Sequence, residues 1–152
     1  MKGTLQEVQA DIFSAIGGRE DVYALQDSSG NYYPKHSPFT LDIYQDDSTT
    51  VGAYLVGPND LVKSAVIDID INRDSLKDDR VELDQKLREQ TLQIKSVLNS
   101  HGFLSEIEDS GNKGYHLWIF LGEEVYSRDL RHTLHILEKE FQLVDPRLHW
   151  EL

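Results

Sequence analysis

Apolar and polar residues alternate with a period of two along much of this chain and shift to a helical period in three stretches. Residues 4–16 place Leu5, Val8, Ile12, Phe13 and Ile16 at helical spacing, with Gly17-Gly18 as a stop signal. Residues 22–26 and 32–34 flank Asp27-Ser28-Ser29-Gly30-Asn31, which predicts a hairpin. Residues 37–50 are polar and irregular apart from 39–44. Residues 51–56 read as a strand and 57–60 as a turn. The second half is cleaner. A strand is expected over 63–71, a charged loop over 72–79, and a helix over 81–100 with Leu83, Leu87, Thr91, Ile94, Val97 and Leu98 on one stripe. Residues 103–107 and 115–121 predict strands joined by a turn at 109–113. A second stripe at Leu130, Leu134, Leu137 and Phe141 predicts a helix over 127–142, and 147–152 a last short strand.

From residue 61 onward that order is βαββαβ, the ferredoxin-like or RRM-like plan. The expected fold class is therefore α+β: an RRM-like palm over 61–152, preceded by a small N-terminal α/β module over 1–60. In that plan the first strand is central, the third and fourth strands flank it, and the helices cover one sheet face. If Ile67, Ile69 and Ile71 face the helices, Asp68 and Asp70 face the open side. On the strand at 115–121, His116, Trp118 and Phe120 share the face opposite Tyr115, Leu117, Ile119 and Leu121. On the last strand, Arg147, His149 and Glu151 oppose Leu148, Trp150 and Leu152. Asp68, Asp70, His116 and Glu151 then share one face, a candidate metal-and-phosphate site.

Two carboxylates on one strand face, with Cβ atoms roughly 6–7 Å apart, repel unless something positive sits between them. A divalent cation held by hard oxygen ligands meets that need. A solvated edge strand, or Asp70 capping a turn with Asn72, is the other reading. Ser110-Gly111-Asn112-Lys113-Gly114-Tyr115-His116 sets Ser, Lys and His donors around a glycine-bounded turn, where backbone N–H groups can approach an anion closely. A simple hairpin turn with a half-exposed histidine is the alternative. The plan brings His116 near the end of the aspartate strand. Acids for a cation and donors for phosphates would then meet, as nucleotidyl transfer requires.

Composition narrows the picture. At 152 residues a single domain with one core is expected. With no cysteine there is neither a disulfide framework nor a thiolate metal site. No apolar run approaches the roughly 20 residues a membrane span needs, and the first residues lack a signal-peptide core. A cytoplasmic protein without membrane contact is expected. The net charge is −12, with 15 Lys+Arg against 27 Asp+Glu. A chain that grips nucleic acid unaided usually shows a basic face. Either this chain binds no polynucleotide alone, or the binding surface is local, metal-bridged or supplied by a partner.

The motifs together resemble the archaeo-eukaryotic primase superfamily. Ile67-Asp68-Ile69-Asp70 is similar to its alternating hydrophobic-acid strand, and Ser110 through Phe120 to its Ser-x-His-type hairpin motif. Gly18-Arg19-Glu20-Asp21-Val22-Tyr23-Ala24, Tyr33-Pro34 and Pro38-Phe39-Thr40 resemble the primase-polymerase domains of CRISPR-associated and transposon-like conflict systems. The resemblance spans roughly residues 12–122. It implies a nucleotidyltransferase that extends or starts a DNA or RNA strand from NTPs or dNTPs. Asp68 and Asp70 would hold two Mg²⁺ or Mn²⁺ ions. Ser110, Lys113 and His116 would contact the triphosphate, with Arg19, Lys35 and His36 as weaker candidates for phosphate or template. For Arg19 a salt bridge to a nearby acid is the competing role. The well-placed candidate for the family's third acid is Glu151, one residue before the last. That position suggests a truncated piece, a split protein completed by a second polypeptide that supplies nucleic-acid contacts, or a Glu151 unrelated to the family's acid. Two further functions stay open: a non-catalytic nucleotide-binding subunit, and a metal-dependent nuclease. His132 and His135 read as a solvated helix face, and Trp118 and Phe120 as either base-stacking or core.

Overall fold

The computed structural model describes residues 4–77, 79–111, 113–141 and 145–151. The elements run α1 (Leu5–Ile16), β1 (Tyr23–Gln26), β2 (Tyr32–Lys35), α2 (Leu41–Tyr44), β3 (Val51–Ala53), β4 (Leu61–Ile71), α3 (Arg80–Ser100), β5 (Leu104–Asp109), β6 (Gly114–Tyr126), α4 (Ser127–Leu137) and β7 (Leu148–Glu151), with short 3₁₀ turns at Arg73–Ser75 and Glu138–Glu140. The architecture is mixed α+β with two antiparallel sheets. The strands form a three-stranded sheet in the order β2-β1-β3 and a four-stranded sheet in the order β5-β6-β4-β7. By compactness the chain divides into a unit of residues 1–64 with 122–127 and a unit of 65–121 with 128–152.

In the first unit, α1 starts on a capping box. The Glu7 amide donates to the Thr4 hydroxyl at 3.3 Å, and the Thr4 amide donates to the Glu7 carboxylate at 2.7 Å. It stops at Gly17 and Gly18, both with positive φ. At Gly18 a Cβ would collide with the Tyr54 carbonyl, and that carbonyl accepts the Arg19 amide at 2.9 Å. This bond explains why β3 ends at Ala53 rather than at the expected residue 56: the chain leaves its pairing with β1 to meet the Arg19 segment. The hairpin between β1 and β2 is held by Asp27, whose carboxylate accepts the Ser29 and Asn31 amides at 2.8 and 2.9 Å. Phe13, Tyr23, Phe39 and Tyr44 form an aromatic cluster, with the Phe13 and Phe39 rings edge to face at 5.2 Å. That cluster accounts for the short helix α2, which falls within the 39–44 stretch that stands apart from its irregular surroundings.

The second unit is organised by β4. Ile67, Ile69 and Ile71 are fully buried, and the intervening aspartates are half-buried. Leu117 and Ile119 of β6 are also fully buried, and the core is completed by Leu83, Leu87, Ile94 and Leu98 of α3 with Leu130, Leu134 and Leu137 of α4. β6 continues to Tyr126, five residues past its expected end. α4 gives way at Leu137 to a 3₁₀ turn before Phe141, while residue 142 of the expected helix and residue 152 of the expected last strand lie outside the described residues. Gln90 is buried at a core-facing position of α3. Its amide donates to the Phe141 carbonyl at 2.9 Å and to Gln93 at 2.7 Å, so its polarity is satisfied.

A charged knot fixes the start of β7. Asp145 accepts from the Arg147 amide at 3.0 Å and from its guanidinium at 2.9 and 2.7 Å, and Lys86 of α3 adds a bond at 3.1 Å. Arg147 also reaches Glu82 at 3.1 Å. Asn72, just past β4, donates its amide to the Arg147 carbonyl at 2.7 Å and its side chain to the Pro146 carbonyl at 2.8 Å. Arg147 hydrogen bonding holds the Asp145 carboxyl well below the usual carboxylate range. The folded state thus binds this proton more weakly than the unfolded chain. Its contribution to stability is complete above the unfolded carboxylate pKa of about 4 and is lost as pH falls from there toward the depressed folded value. Asp145→Asn is therefore expected to lower the thermal midpoint by about 3–6 °C at pH 7. The gap to the unsubstituted protein narrows below about pH 4. Thermal melts at pH 7 and pH 3 check both statements, and an equal gap at the two pH values would contradict them.

Candidate active site

The acidic face is set by strand register. β4 and β7 pair antiparallel, with Asp68 opposite Glu151 and Asp70 opposite His149. Directly opposed residues point to the same face with Cβ atoms about 4.5–5.5 Å apart. Asp68, Asp70, His149 and Glu151 therefore share one face. The structure brings Glu151 to the aspartates, as the alternation of the last strand led one to expect. His149 lies on that face as well. The same alternation could have singled it out, yet only the register reveals that it stands across from Asp70.

Asp68 is electrostatically uncomfortable. Burial and the neighbouring Asp70 charge push its carboxyl above the ordinary value; His116 and Lys113 pull the other way, and Glu151 adds to the rise. Among the described residues its Oδ1 is buried without a hydrogen-bond partner. Asp70 is ion-paired with Lys113.

The turn between β5 and β6 delivers the basic groups. The Ser110 amide donates to the Gly114 carbonyl at 3.1 Å, and the Gly114 amide donates to the Ser110 hydroxyl oxygen at 3.2 Å. That closes the turn around Gly111, whose φ is +77° and whose amide donates to Asp109 at 2.8 Å. The Ser110 hydroxyl keeps its own proton to donate. The Ile71 amide donates to the Lys113 carbonyl at 3.2 Å, so β6 begins where β4 ends. Gly114 lies so close to β4 that a Cβ there would meet Asp70 Oδ1 and the Ile69 carbonyl. A cleft of about 490 Å³ opens beside the turn, with Lys113 and Gly114 on one wall and Arg80 and Asp84 of α3 on the other.

His116 Nδ1 lies 3.0 Å from Glu108 Oε2, and the same oxygen accepts the Trp118 indole N–H at 2.7 Å. Glu108 is the direct cross-strand partner of His116. Sequence reasoning passed over Glu108, which reads as one of several exposed acids on a short strand. Counting outward from the Ser110–Gly114 turn would have paired it with His116. Trp118 and Phe120 lie parallel on this face, ring centroids 6.1 Å apart.

The remaining candidates lie elsewhere. Arg19 belongs to the first unit, where its guanidinium makes a bidentate pair with Asp21 (Nε to Oδ1 2.8 Å) that raises its own pKa and lowers that of Asp21. A salt bridge of this kind is the competing role foreseen for it. Lys35 and His36 are exposed in the same unit. His135 Nδ1 lies 3.0 Å from Glu138 on the exposed side of α4.

The donor set suits a hard divalent ion: carboxylate oxygens dominate, and one of them is buried and orphaned. Among the described residues, no three His, Asp or Glu side chains converge tightly enough to hold a metal as they stand. Asp70 is turned to Lys113.

No helix among the described residues is long and apolar enough to cross a membrane. No curated protein matches this chain. Among solved structures, it resembles the polymerase domain of Mycobacterium tuberculosis ligase D in complex with DNA. The TM-score is 0.51 and the identity 14%, over 91% of this chain and 61% of that one. That likeness concerns the fold, and the chain spans about three fifths of the polymerase domain. Residues 40–151 match the family model described as the archaeo-eukaryotic primase domain of the TOTE conflict system. With the match covering well over half of its length, this chain belongs to the archaeo-eukaryotic primase family, in its conflict-system branch.

Proposed function

We propose that this chain is a primase-polymerase catalytic module that transfers nucleotidyl groups from NTPs or dNTPs to a nucleic acid 3′-hydroxyl. The observation that carries the reading is the Asp68 carboxylate. Its oxygen is buried and unpartnered, with Asp70 beside it, Glu151 across from it, and His116 and Lys113 within electrostatic reach. A site of that kind has carboxylates in excess and donors for phosphate next to them. The strand order β5-β6-β4-β7, with β4 central, supports reading this sheet as an RRM-like palm.

Asp68, Asp70 and Glu151 would hold Mg²⁺ or Mn²⁺. When bound, such ions supply alignment of the 3′-hydroxyl with the α-phosphate and neutralise charge at the leaving pyrophosphate. The chain's own groups do the rest. The Lys113 ammonium, released from Asp70, is a point charge for the triphosphate. The Ser110 hydroxyl and the His116 ring donate to phosphate oxygens from either side of the turn. The backbone amides that close the turn hold these donors in place, and the Ile67–Ile71 core holds the acids. The net charge of −12 supports a grip on a DNA or RNA template that is local, metal-bridged or supplied by a second polypeptide. A setting in CRISPR or mobile-element defence, and synthesis of primers, extend the same proposal. Arg19, committed to Asp21, has a secondary place in it.

One observation favours a second reading. Asp70 is neutralised by Lys113, and no metal cluster is assembled among the described residues. A nucleotide-binding subunit without catalysis fits that state. Incorporation assays with a primed template, Mn²⁺ and each nucleotide set separate the two. The expected result is Mn²⁺-dependent extension that disappears in the Asp68→Ala/Asp70→Ala double variant. Nucleotide binding without extension would establish the second reading instead.

A further inference from the structure

Glu108 stands outside the acids and donors assigned above, yet it holds two of the residues on the same face. Its Oε2 accepts from the Trp118 indole at 2.7 Å and faces His116 Nδ1 at 3.0 Å. A carboxylate oxygen can only accept, so Nδ1 of His116 carries the proton and Nε2 is the nitrogen left for other contacts. The indole N–H is donor-only, so Trp118 anchors the same carboxylate oxygen that faces the imidazole. Register makes this arrangement a property of the sheet rather than of a loop. Glu108 lies directly across from His116, and Trp118 lies across from Glu106, one same-face step further along. His116 and Glu108 are partly exposed, with side-chain exposures of 36% and 53%. The ring is therefore not held by packing alone.

We infer that Glu108 is a positioning residue of the nucleotide site. It fixes the tautomer and plane of His116 so that Nε2, not Nδ1, meets the triphosphate, and Trp118 keeps the carboxylate from rotating away. The inference rests on the polymerase reading for the identity of the ligand. Its chemistry is general: a histidine that donates to a phosphate oxygen from Nε2 while Nδ1 donates to a carboxylate carries both protons, and Glu108 is the counter-charge to that form. Without Glu108 the ring is free to flip. The nitrogen that faces the triphosphate is then no longer fixed, and the contact is made in only part of the population.

The test compares the intact chain with Glu108→Ala, Glu108→Gln and Trp118→Phe. Two readouts are needed. The first is the His116 tautomer, from ¹⁵N-histidine NMR with His116→Ala to assign the signal. The second is the affinity for the α,β-methylene analogues of ATP and dATP with Mn²⁺. Expected are a protonated Nδ1 in the unsubstituted protein, and a mixed tautomer with about tenfold weaker nucleotide binding in Glu108→Ala. Glu108→Gln, which keeps an acceptor oxygen, should stay within about threefold. Trp118→Phe should fall between the two. A thermal midpoint within a few degrees for Glu108→Gln shows that folding is not what is being read. Wild-type affinity in Glu108→Ala, or equal damage in the alanine and glutamine variants, would overturn the positioning role. If the unsubstituted protein binds neither analogue, the polymerase reading fails and takes the role with it. Binding by the unsubstituted protein with no difference in Glu108→Ala refutes this inference alone.

Discussion

Asp68→Asn is expected to abolish nucleotide incorporation while making the protein harder to melt. The two effects have one cause. The Asp68 carboxylate sits partly buried beside Asp70, with Oδ1 unpartnered, and its pKa is raised chiefly by burial and then by the Asp70 charge. At neutral pH the folded state carries a charge there that it disfavours. Asparagine removes the charge at nearly constant shape. The thermal midpoint at pH 7 should rise by about 2–4 °C, corresponding to roughly 1 kcal/mol in a domain of this size. The pH dependence follows from the sign of the shift. Folded Asp68 binds its proton more tightly than the unfolded chain does. The unsubstituted protein therefore gains stability as pH falls through the raised folded pKa toward the ordinary carboxylate value, and asparagine cannot. The advantage of the variant should shrink over that interval. On the proposed polymerase reading, activity should drop by about 10³-fold, because a carboxylate that would hold a cation is replaced by a neutral amide. Added Mn²⁺ gives a readout that does not depend on catalysis. It should raise the midpoint of the unsubstituted protein through linkage, and raise that of the variant far less. If the variant melts lower at pH 7, or responds equally to Mn²⁺, the electrostatic account of Asp68 is wrong.

The strand that carries this effect was the most legible part of the chain. Alternation fixes faces, and Ile67, Ile69 and Ile71 are fully buried while Asp68 and Asp70 are not. The long helix was legible for a related reason: over 21 residues a period of 3.6 has room to declare itself. Four residues do not, and α2 depends on aromatic contacts from Phe13 that no local pattern announces. Gln90 shows another limit. A polar residue on the buried stripe looks like a break in the pattern until the Phe141 carbonyl is found to satisfy it. At the candidate site, the residues proposed to bind were easier to see than those proposed to hold them. Asp68, Asp70, Lys113 and His116 announce themselves by type and spacing. Glu108, His149 and the pairing of Glu151 with Asp68 are consequences of register, and register is set by turns and partners far along the chain. Arg19 illustrates the converse. Its residue type suits phosphate, but Asp21 two positions away engages its Nε and one of its terminal nitrogens.

Gly114→Ala, a change of one methyl group, is expected to be among the most damaging substitutions in the second unit. Gly114 needs no unusual backbone; its requirement is space. A Cβ there would run into the Ile69 carbonyl and the Asp70 carboxylate, and would lie 3.1 Å from Asp70 Cγ. The Asp70 side chain can rotate away, but the Ile69 carbonyl is backbone in the central strand and cannot. Relief must come from separating β6 from β4, which strains the bond from the Ile71 amide to the Lys113 carbonyl and the closure of the Ser110 turn. Overpacking of this kind costs about 1–3 kcal/mol or more, which corresponds to a midpoint lower by about 2–12 °C. The functional loss should be larger than the stability loss. The displaced groups are Asp70 and Lys113, so nucleotide and Mn²⁺ binding should fall even at temperatures where the variant is folded. Gly122→Ala in the same strand is the internal control. Nothing lies within 4 Å of a Cβ at that position, so its midpoint and binding should match those of the unsubstituted protein. Amide hydrogen exchange at Ile71 should accelerate in Gly114→Ala and remain unchanged in Gly122→Ala. If Gly114→Ala melts and binds normally, β6 does not approach Asp70 this closely, and the placement of Lys113 against the acidic pair must be redrawn.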